Sequence, residues 1–299
     1  MIDLSIENLQ DLIDRNNLLW ERSLSGKKIT MWLENFCGRV MPLAEERSMA
    51  FELLRHFMYF SESEVKYLCQ VALSMLTSRK IKDNPTDYLG EDGRLLIEEY
   101  LRRCRFSYIG RVGESGGFIL SYYFRQINNL AVSQLFEPVL LSTISHDENP
   151  FMYCPLIFID DFLGTGHTAR EFWEANLQPI KDVYSDMEFF YMPLVAMKFG
   201  VNYIRKYTEF EVICPQVLNE EYRVFSNNSM VFPQIEKRNT AKEICYGYGC
   251  SLVKERDALG YRNSQTLLGF HHNIPDNTLP IIWCDNNWHP IFRRAKKKY

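Results

Sequence analysis

No uninterrupted apolar run in this chain approaches the ~20 residues that a membrane-spanning helix requires, so no helical membrane span is expected. The first residues, Met1-Ile-Asp-Leu-Ser-Ile-Glu-Asn8, hold neither a basic region nor a long apolar core, so no secretory signal is expected there. The 8 cysteines (Cys37, Cys69, Cys104, Cys154, Cys214, Cys245, Cys250 and Cys284) contain no Cys-x-x-Cys pair. Their scatter excludes a dense disulfide framework and fits reduced thiols, so a cytoplasmic location is expected. There is little excess of either charge: 34 Lys and Arg against 38 Asp and Glu give a net −4, with no overall drive toward nucleic acid or anionic membrane. Internal repeats and low-complexity stretches are also missing. What is present is ordinary for a soluble globular protein: 299 residues, 46% hydrophobic and 24% charged. That length suffices for one large or two modest domains with a real core. The one basic run, Arg293-Arg294-Ala-Lys296-Lys297-Lys298, reads as a solvated tail, with a phosphate or nucleic-acid contact as the alternative.

The chain changes character near residue 105. Before it, apolar residues recur at helical spacing: Leu9, Leu12, Ile13 and Leu19, then Ile29, Trp32, Leu33 and Phe36, then Leu53, Leu54 and Phe57. Ser61-Glu-Ser-Glu64 has the form of a capping box, and Val65, Leu68, Val71, Ala72 and Met75 follow on one helical face. A last helix is expected over 94–104. From 105 onward short apolar runs alternate with helical segments, the pattern of an α/β domain with a mainly parallel sheet. The expected strands are Phe106–Ile109, Pro138–Ser142, Leu156–Asp160, Glu188–Val195, Phe210–Cys214 and Thr266–His271; helices are expected near 117–128, 166–177, 199–206 and 239–256. The expected division is a helical region, 1–104, and an α/β domain, 105–299. The helical region carries no catalytic cluster and is read as a cap or a surface for a protein partner.

The most informative segment is Leu156-Ile-Phe-Ile-Asp160-Asp161-Phe-Leu-Gly164-Thr165-Gly166-His167-Thr168. Apolar residues form a buried strand, two acids sit where it is expected to end, and a Gly/Thr loop opens a helix. The first N–H groups of a helix have no internal partners and carry partial positive charge, so they hold phosphate. Acids beside an anion cradle suit a sugar with hydroxyls on one side and a phosphate on the other. The bland alternative is a strand–turn–helix with a capping threonine.

This segment resembles the phosphoribosyl-diphosphate-binding signature of type I phosphoribosyltransferases. The resemblance implies that Asp160 and Asp161 hold the ribose hydroxyls, and that the Gly164, Thr165, Gly166, His167 and Thr168 backbone N–H groups, with the threonine hydroxyls, hold the 5-phosphate. It also implies a parallel sheet flanked by helices, preceded here by the helical region. A second loop, Gly110-Arg111-Val-Gly113-Glu114-Ser115-Gly116-Gly117, stands where the family holds pyrophosphate. Arg111, Glu114, Ser115, Gly116 and Gly117 are thus the pyrophosphate-side candidates; alone, the loop reads equally as a flexible turn. Mg²⁺ is implied, carried on the pyrophosphate with no dedicated protein ligand.

A third segment, Gly269-Phe-His271-His272-Asn273-Ile-Pro275-Asp276-Asn277-Thr278-Leu-Pro280-Ile-Ile-Trp283, is a strand entering a polar loop. His271, His272, Asn273 and Asn277 are candidates for the base or acceptor side. This segment, together with the Trp-Leu-x-x-Phe run at 32–36, resembles the phosphoribosyltransferase-like effectors of bacterial conflict and phage-defence systems. Zinc at Cys245, Cys250, His271 and His272 is disfavoured, because adjacent strand histidines face opposite ways and the cysteine spacing is not a zinc knuckle. The glycines Gly247 and Gly249 weaken an expected helix without an evident reason.

The chemistry implied is substitution at the anomeric carbon of a ribose 5-phosphate compound, through an oxocarbenium-like transition state. Either carboxylate or His271 could serve as base. One departure from the family matters: Thr143–Cys154, where many members carry a mobile basic loop, contains no Lys or Arg, only His146, Asp147 and Glu148. Three readings stay open: a transferase or nucleotide-cleaving effector acting on phosphoribosyl diphosphate or a nucleotide, a non-catalytic nucleotide sensor, and an interaction module.

Overall fold

The computed structural model describes residues 6–20, 24–83, 85, 91–110, 117–144 and 149–294. In chain order the elements are helices α1 (Ile6–Trp20), α2 (Gly26–Glu34) and α3 (Leu43–Arg55), strand β1 (Met58–Phe60), helices α4 (Glu62–Asp83) and α5 (Glu91–Arg103), strand β2 (Arg105–Tyr108), helix α6 (Gly117–Ile127), strand β3 (Leu156–Leu163), helices α7 (His167–Phe172) and α8 (Gln178–Val183), strand β4 (Phe189–Met197), helix α9 (Lys198–Tyr207), strands β5 (Glu211–Val212) and β6 (Gln216–Leu218), helix α10 (Ile235–Leu252), strand β7 (Leu268–Phe270) and helix α11 (Pro280–Trp283). The alternation of strands with helices begins at β2, but one strand, β1, already lies in the first third, which the patterning reads as helical throughout. Contacts group the chain differently, into Met1–Glu64 with Leu218–Tyr299 as one compact unit and Val65–Val217 as the other. Among the described residues no helix is long and apolar enough to cross a membrane.

The discontinuous unit joins the N-terminal helices to the last third of the chain around one aromatic core. Trp32 and Phe36, at helical spacing on and just after α2, are fully buried with Phe51, Leu54, Ile281 and Ile282. The Trp32 indole N–H donates to the Ile281 carbonyl at 2.7 Å, which satisfies the polar edge of a buried ring. Ser25 caps α2, its hydroxyl accepting from the Lys28 N–H. The capping box before α4 forms as expected: the Ser61 N–H donates to Glu64 Oε2 at 2.8 Å and the Glu64 N–H to Ser61 Oγ at 3.3 Å.

Two glycines in α10 make room for neighbours. A Cβ at Gly247 would lie 2.7 Å from Val40 Cγ2, and one at Gly249 would lie 2.2 Å from the Ala258 carbonyl oxygen. The 37–41 segment is tied to α10 by a buried acid. Glu46 takes the N–H groups of Gly38, Val40 and Met41 at 2.7–3.0 Å and the Tyr248 hydroxyl at 2.6 Å. Burial raises the Glu46 carboxyl, but these four donors outweigh it and hold it below the usual value.

The strand expected at 266–271 exists as β7, but it pairs in parallel with β1 in a separate two-stranded sheet, Met58 opposite Leu268. The main sheet belongs to the Val65–Val217 unit. It runs β2-β3-β4-β5, parallel throughout, with β6 also paired to β4. Both faces of β3 are buried. Leu156 and Phe158 join Ala169, Trp173, Leu177, Val201 and Ile204 in one cluster. On the alternate face Phe106 of β2 meets Phe124 of α6, ring centroids 5.5 Å apart. Pro138–Ser142, expected as a strand, is a 3₁₀ segment, Pro138–Thr143. Proline at its start has no ladder N–H, and the Ser142 and Thr143 hydroxyls donate back to Val139 and Leu140 carbonyls, which favours a local turn.

Candidate functional site

The acids lie inside β3 rather than at its end. Phe162 and Leu163 continue the strand, opposite Val195 and Ala196 of β4, because both are apolar and bury there. The register runs Asp160 opposite Pro193 and then skips Asp161. Asp161 is buried, 6% exposed, and Asp160 is half-buried. Asp160 is held at both oxygens: Oδ1 accepts the Asp161 N–H at 2.9 Å, and Oδ2 accepts the Tyr191 hydroxyl at 2.8 Å. Burial pushes the Asp160 carboxyl well above the usual range, repulsion from Asp161 adds to this, and the bond from Tyr191 opposes it.

The loop after β3 is fixed by α9. A Cβ at Gly200 would lie 2.1 Å from the Gly164 carbonyl oxygen, so only glycine lets the loop seat here. Gly166 adopts φ +85° as the residue before α7, and its Cα faces Tyr203 and Ile204. No side chain caps α7 at that residue, and the Arg170 N–H is the one bonded to the Gly166 carbonyl, at 3.0 Å. The Thr165 side chain is half-buried and that of Thr168 exposed. His167 stacks on Tyr203 with ring centroids 4.7 Å apart. Arg170 bonds the Tyr203 hydroxyl at 3.0 Å and Glu174 at 2.7 Å, which ties the helix after the loop to α9. The structure therefore gathers Asp160, Asp161 and Gly164–Thr168 on one strand–loop–helix unit at the carboxyl end of the sheet, where open parallel sheets bind ligands.

The other candidates are placed less completely. Arg111, Glu114, Ser115 and Gly116 lie outside the described residues, as do His146, Asp147 and Glu148; Gly117 opens α6. His271, His272, Asn273 and Asn277 belong to the discontinuous unit, whereas Asp160 and Asp161 belong to the other. His271 and His272 are not strand residues facing opposite ways. They sit in a turn past β7 with ring centroids 4.7 Å apart, closed by the Phe270 N–H to the Asn273 carbonyl at 2.8 Å. The Asn-Thr-Leu-Pro stretch holds that unit together: the Asn277 carbonyl accepts the Ser264 hydroxyl at 2.7 Å, Thr278 donates to the Leu268 carbonyl at 2.5 Å, and the Trp283 indole N–H donates to the Thr278 carbonyl at 2.8 Å. Among the described residues no group of three His, Cys, Asp or Glu side chains is gathered to hold a metal ion. Cys245 is a buried helix residue whose thiol is pushed above its usual range by burial.

Sequence reasoning missed Tyr191, Gly200 and Tyr203. Tyr191 carries a signal in hindsight: it is the one hydroxyl in the run Phe189–Met197, all of it buried. A cavity of about 440 Å³ lies at the opposite end of the sheet, beside the starts of β3 and β4, lined by Arg103, Tyr153, Cys154, Tyr184 and Glu188 among others. It is remote from the acid–loop unit and is not the candidate site.

The family model PRTase-CE matches residues 29–294, nearly the whole chain. The chain belongs to the PRTase-CE family. It is therefore a phosphoribosyltransferase-like protein, and its parallel sheet flanked by helices agrees with that fold. The PRTase-CE match spans both units, including the β1–β7 pair and the segment around Thr278. No curated protein and no solved structure matches the chain.

Proposed function

We propose that the Val65–Val217 unit binds a ribose 5-phosphate compound, phosphoribosyl diphosphate or a nucleotide, and supports substitution or hydrolysis at its anomeric carbon. The observation that carries this reading is the seating of Gly164 against Gly200, which sets the start of α7 directly after the Asp160–Asp161 pair. In this reading the N–H groups of Gly164–Thr168 take the 5-phosphate. The acid pair receives the ribose hydroxyls and stabilises the positive charge that grows on the ring. The adjacent side-chain oxygens of Asp160 and Asp161 are donors of the type that Mg²⁺ takes; in this reading the ion would arrive on the ligand's phosphates and neutralise charge on the leaving group. A role as an effector in bacterial anti-phage defence, within the cytoplasm, is the biological setting proposed. It is supported by the resemblance of the His271–Trp283 segment to such effectors. A helical partner surface on residues 1–104 belongs to the same proposal.

A second reading, binding without turnover, is favoured by one observation: Thr143–Cys154 has no Lys or Arg to meet a leaving pyrophosphate. Incubation with phosphoribosyl diphosphate, NAD and the common nucleotides separates the two. An enzyme consumes one of them and the Asp160→Asn/Asp161→Asn variant does not. Tight binding with every compound unchanged marks the sensor. Equal turnover by parent and double variant removes the acids from the chemistry.

A further inference from the structure

β4 reads Phe-Phe-Tyr-Met-Pro-Leu-Val-Ala-Met, and every residue in it is buried. A tyrosine hydroxyl in such a strand must find a partner, or its desolvation is uncompensated. Tyr191 is 1% exposed, and its ring packs against Phe210 with centroids 5.5 Å apart. It lies opposite Phe158 in the sheet register, so its hydroxyl reaches along β3 by one same-face step to Asp160. The result is a carboxylate with one oxygen fixed by the backbone N–H of Asp161 and the other by the Tyr191 hydroxyl, at 2.9 and 2.8 Å. The neighbouring Asp161 side chain also hydrogen-bonds this carboxyl, and a carboxylate with about four lone-pair sites can accept more than these bonds, so they orient the group without exhausting it as an acceptor.

We propose that Tyr191 is a positioning residue: it locks the rotation of Asp160 and presents the carboxylate's free lone pairs to the ribose hydroxyls. This rests on the ribose 5-phosphate reading and adds a residue from the neighbouring strand to it. The residue touches no substrate itself. A phenylalanine would fill the same buried volume and bring no donor, so Asp160 would lose one of its two anchors. A hydrogen bond of this kind contributes up to about tenfold in equilibrium terms.

The test is calorimetric titration with phosphoribosyl diphosphate of four proteins: parent, Tyr191→Phe, Asp160→Asn, and the double variant. The expected result is roughly tenfold weaker binding by Tyr191→Phe, with no further loss when the same change is made in Asp160→Asn, because the tyrosine acts only through that carboxylate. Incorporation of 3-fluorotyrosine at position 191 keeps the shape and the donor and is expected to retain parental affinity. Should Tyr191→Phe fail to fold, 4-fluorophenylalanine at position 191 decides the matter: it fills the hydroxyl's place without the donor, so roughly tenfold weaker binding supports the role and parental affinity overturns it. Parental affinity in Tyr191→Phe, or an equal loss in the Asp160→Asn background, overturns the positioning role while parental binding still supports the sugar reading. A parent that does not bind phosphoribosyl diphosphate overturns both.

Discussion

Substituting Gly200 by alanine is expected to displace the loop proposed to hold the 5-phosphate while leaving the fold in place. The added Cβ would sit 2.1 Å from the Gly164 carbonyl oxygen and 3.3 Å from Leu163 Cγ. Carbon–oxygen contacts settle at about 3.3 Å or more, so the loop must retreat by roughly 1.2 Å. Retreat toward the strand is blocked, because Leu163 is buried and paired with Ala196. The N–H groups of Gly164–Thr168 therefore move off the position proposed for the phosphate. A displacement of about 1 Å from productive geometry reduces function by roughly 100-fold, which corresponds to about 2.7 kcal/mol. Overpacking itself destabilises by about 1–3 kcal/mol, enough to lower the melting temperature by a few degrees without unfolding the chain at 25 °C. Calorimetry with phosphoribosyl diphosphate, run beside a thermal melt, separates the two effects. Binding by Gly200→Ala within about twofold of the parent refutes the argument that the loop's seat on α9 shapes the site, since the structural displacement then has no consequence for the anion.

Two further outcomes concern the discontinuous unit. Glu46 has a folded-state carboxyl held below its unfolded value, so its contribution to stability is fully present above the unfolded value and is lost as pH falls through the folded one. Glu46→Gln, which turns an acceptor into a donor facing backbone N–H groups, is expected to destabilise by about 3 kcal/mol near neutral pH and to flatten the acid limb of the stability profile; denaturant melts at several pH values check both. Thr278→Val keeps the volume and removes the donor to the Leu268 carbonyl, and is expected to destabilise by about 2 kcal/mol while leaving ligand affinity unchanged. A loss of affinity without a loss of stability would instead assign Thr278 to a ligand.

Much of the α/β architecture was legible because its strands are long or strongly apolar. Leu156–Leu163 and Phe189–Met197 are buried on both faces, and such runs stand out between helical segments. The helices of the first third were equally plain, since Trp32, Phe36 and their neighbours recur at turn spacing and Ser61–Glu64 announces α4. What was hidden depends on distant partners. β1 has three residues, too few for any periodicity, and its mate β7 lies more than two hundred residues away. Gly247 and Gly249 look like defects in a helix until Val40 and Ala258 are seen against them. The segment 138–143 has strand-like composition, and only its proline and its self-satisfying hydroxyls argued for a turn. In the site, the acids and the loop were recognisable as a motif. Their supports, Tyr191 and Gly200, were not, because each acts across the sheet or from another helix and leaves no local pattern.

The central claim is that one strand–loop–helix unit grips a pentose by its acids and a phosphate by its amides. Amide chemical shifts followed by NMR during titration with ribose 5-phosphate test it most directly. The account predicts large, saturable shifts at Gly164–Thr168 in the parent, and loss of those shifts in Asp160→Asn/Asp161→Asn when ribose 5-phosphate is held at the same concentration. Unmoved amides at Gly164–Thr168, with shifts confined to another part of the chain, would contradict it.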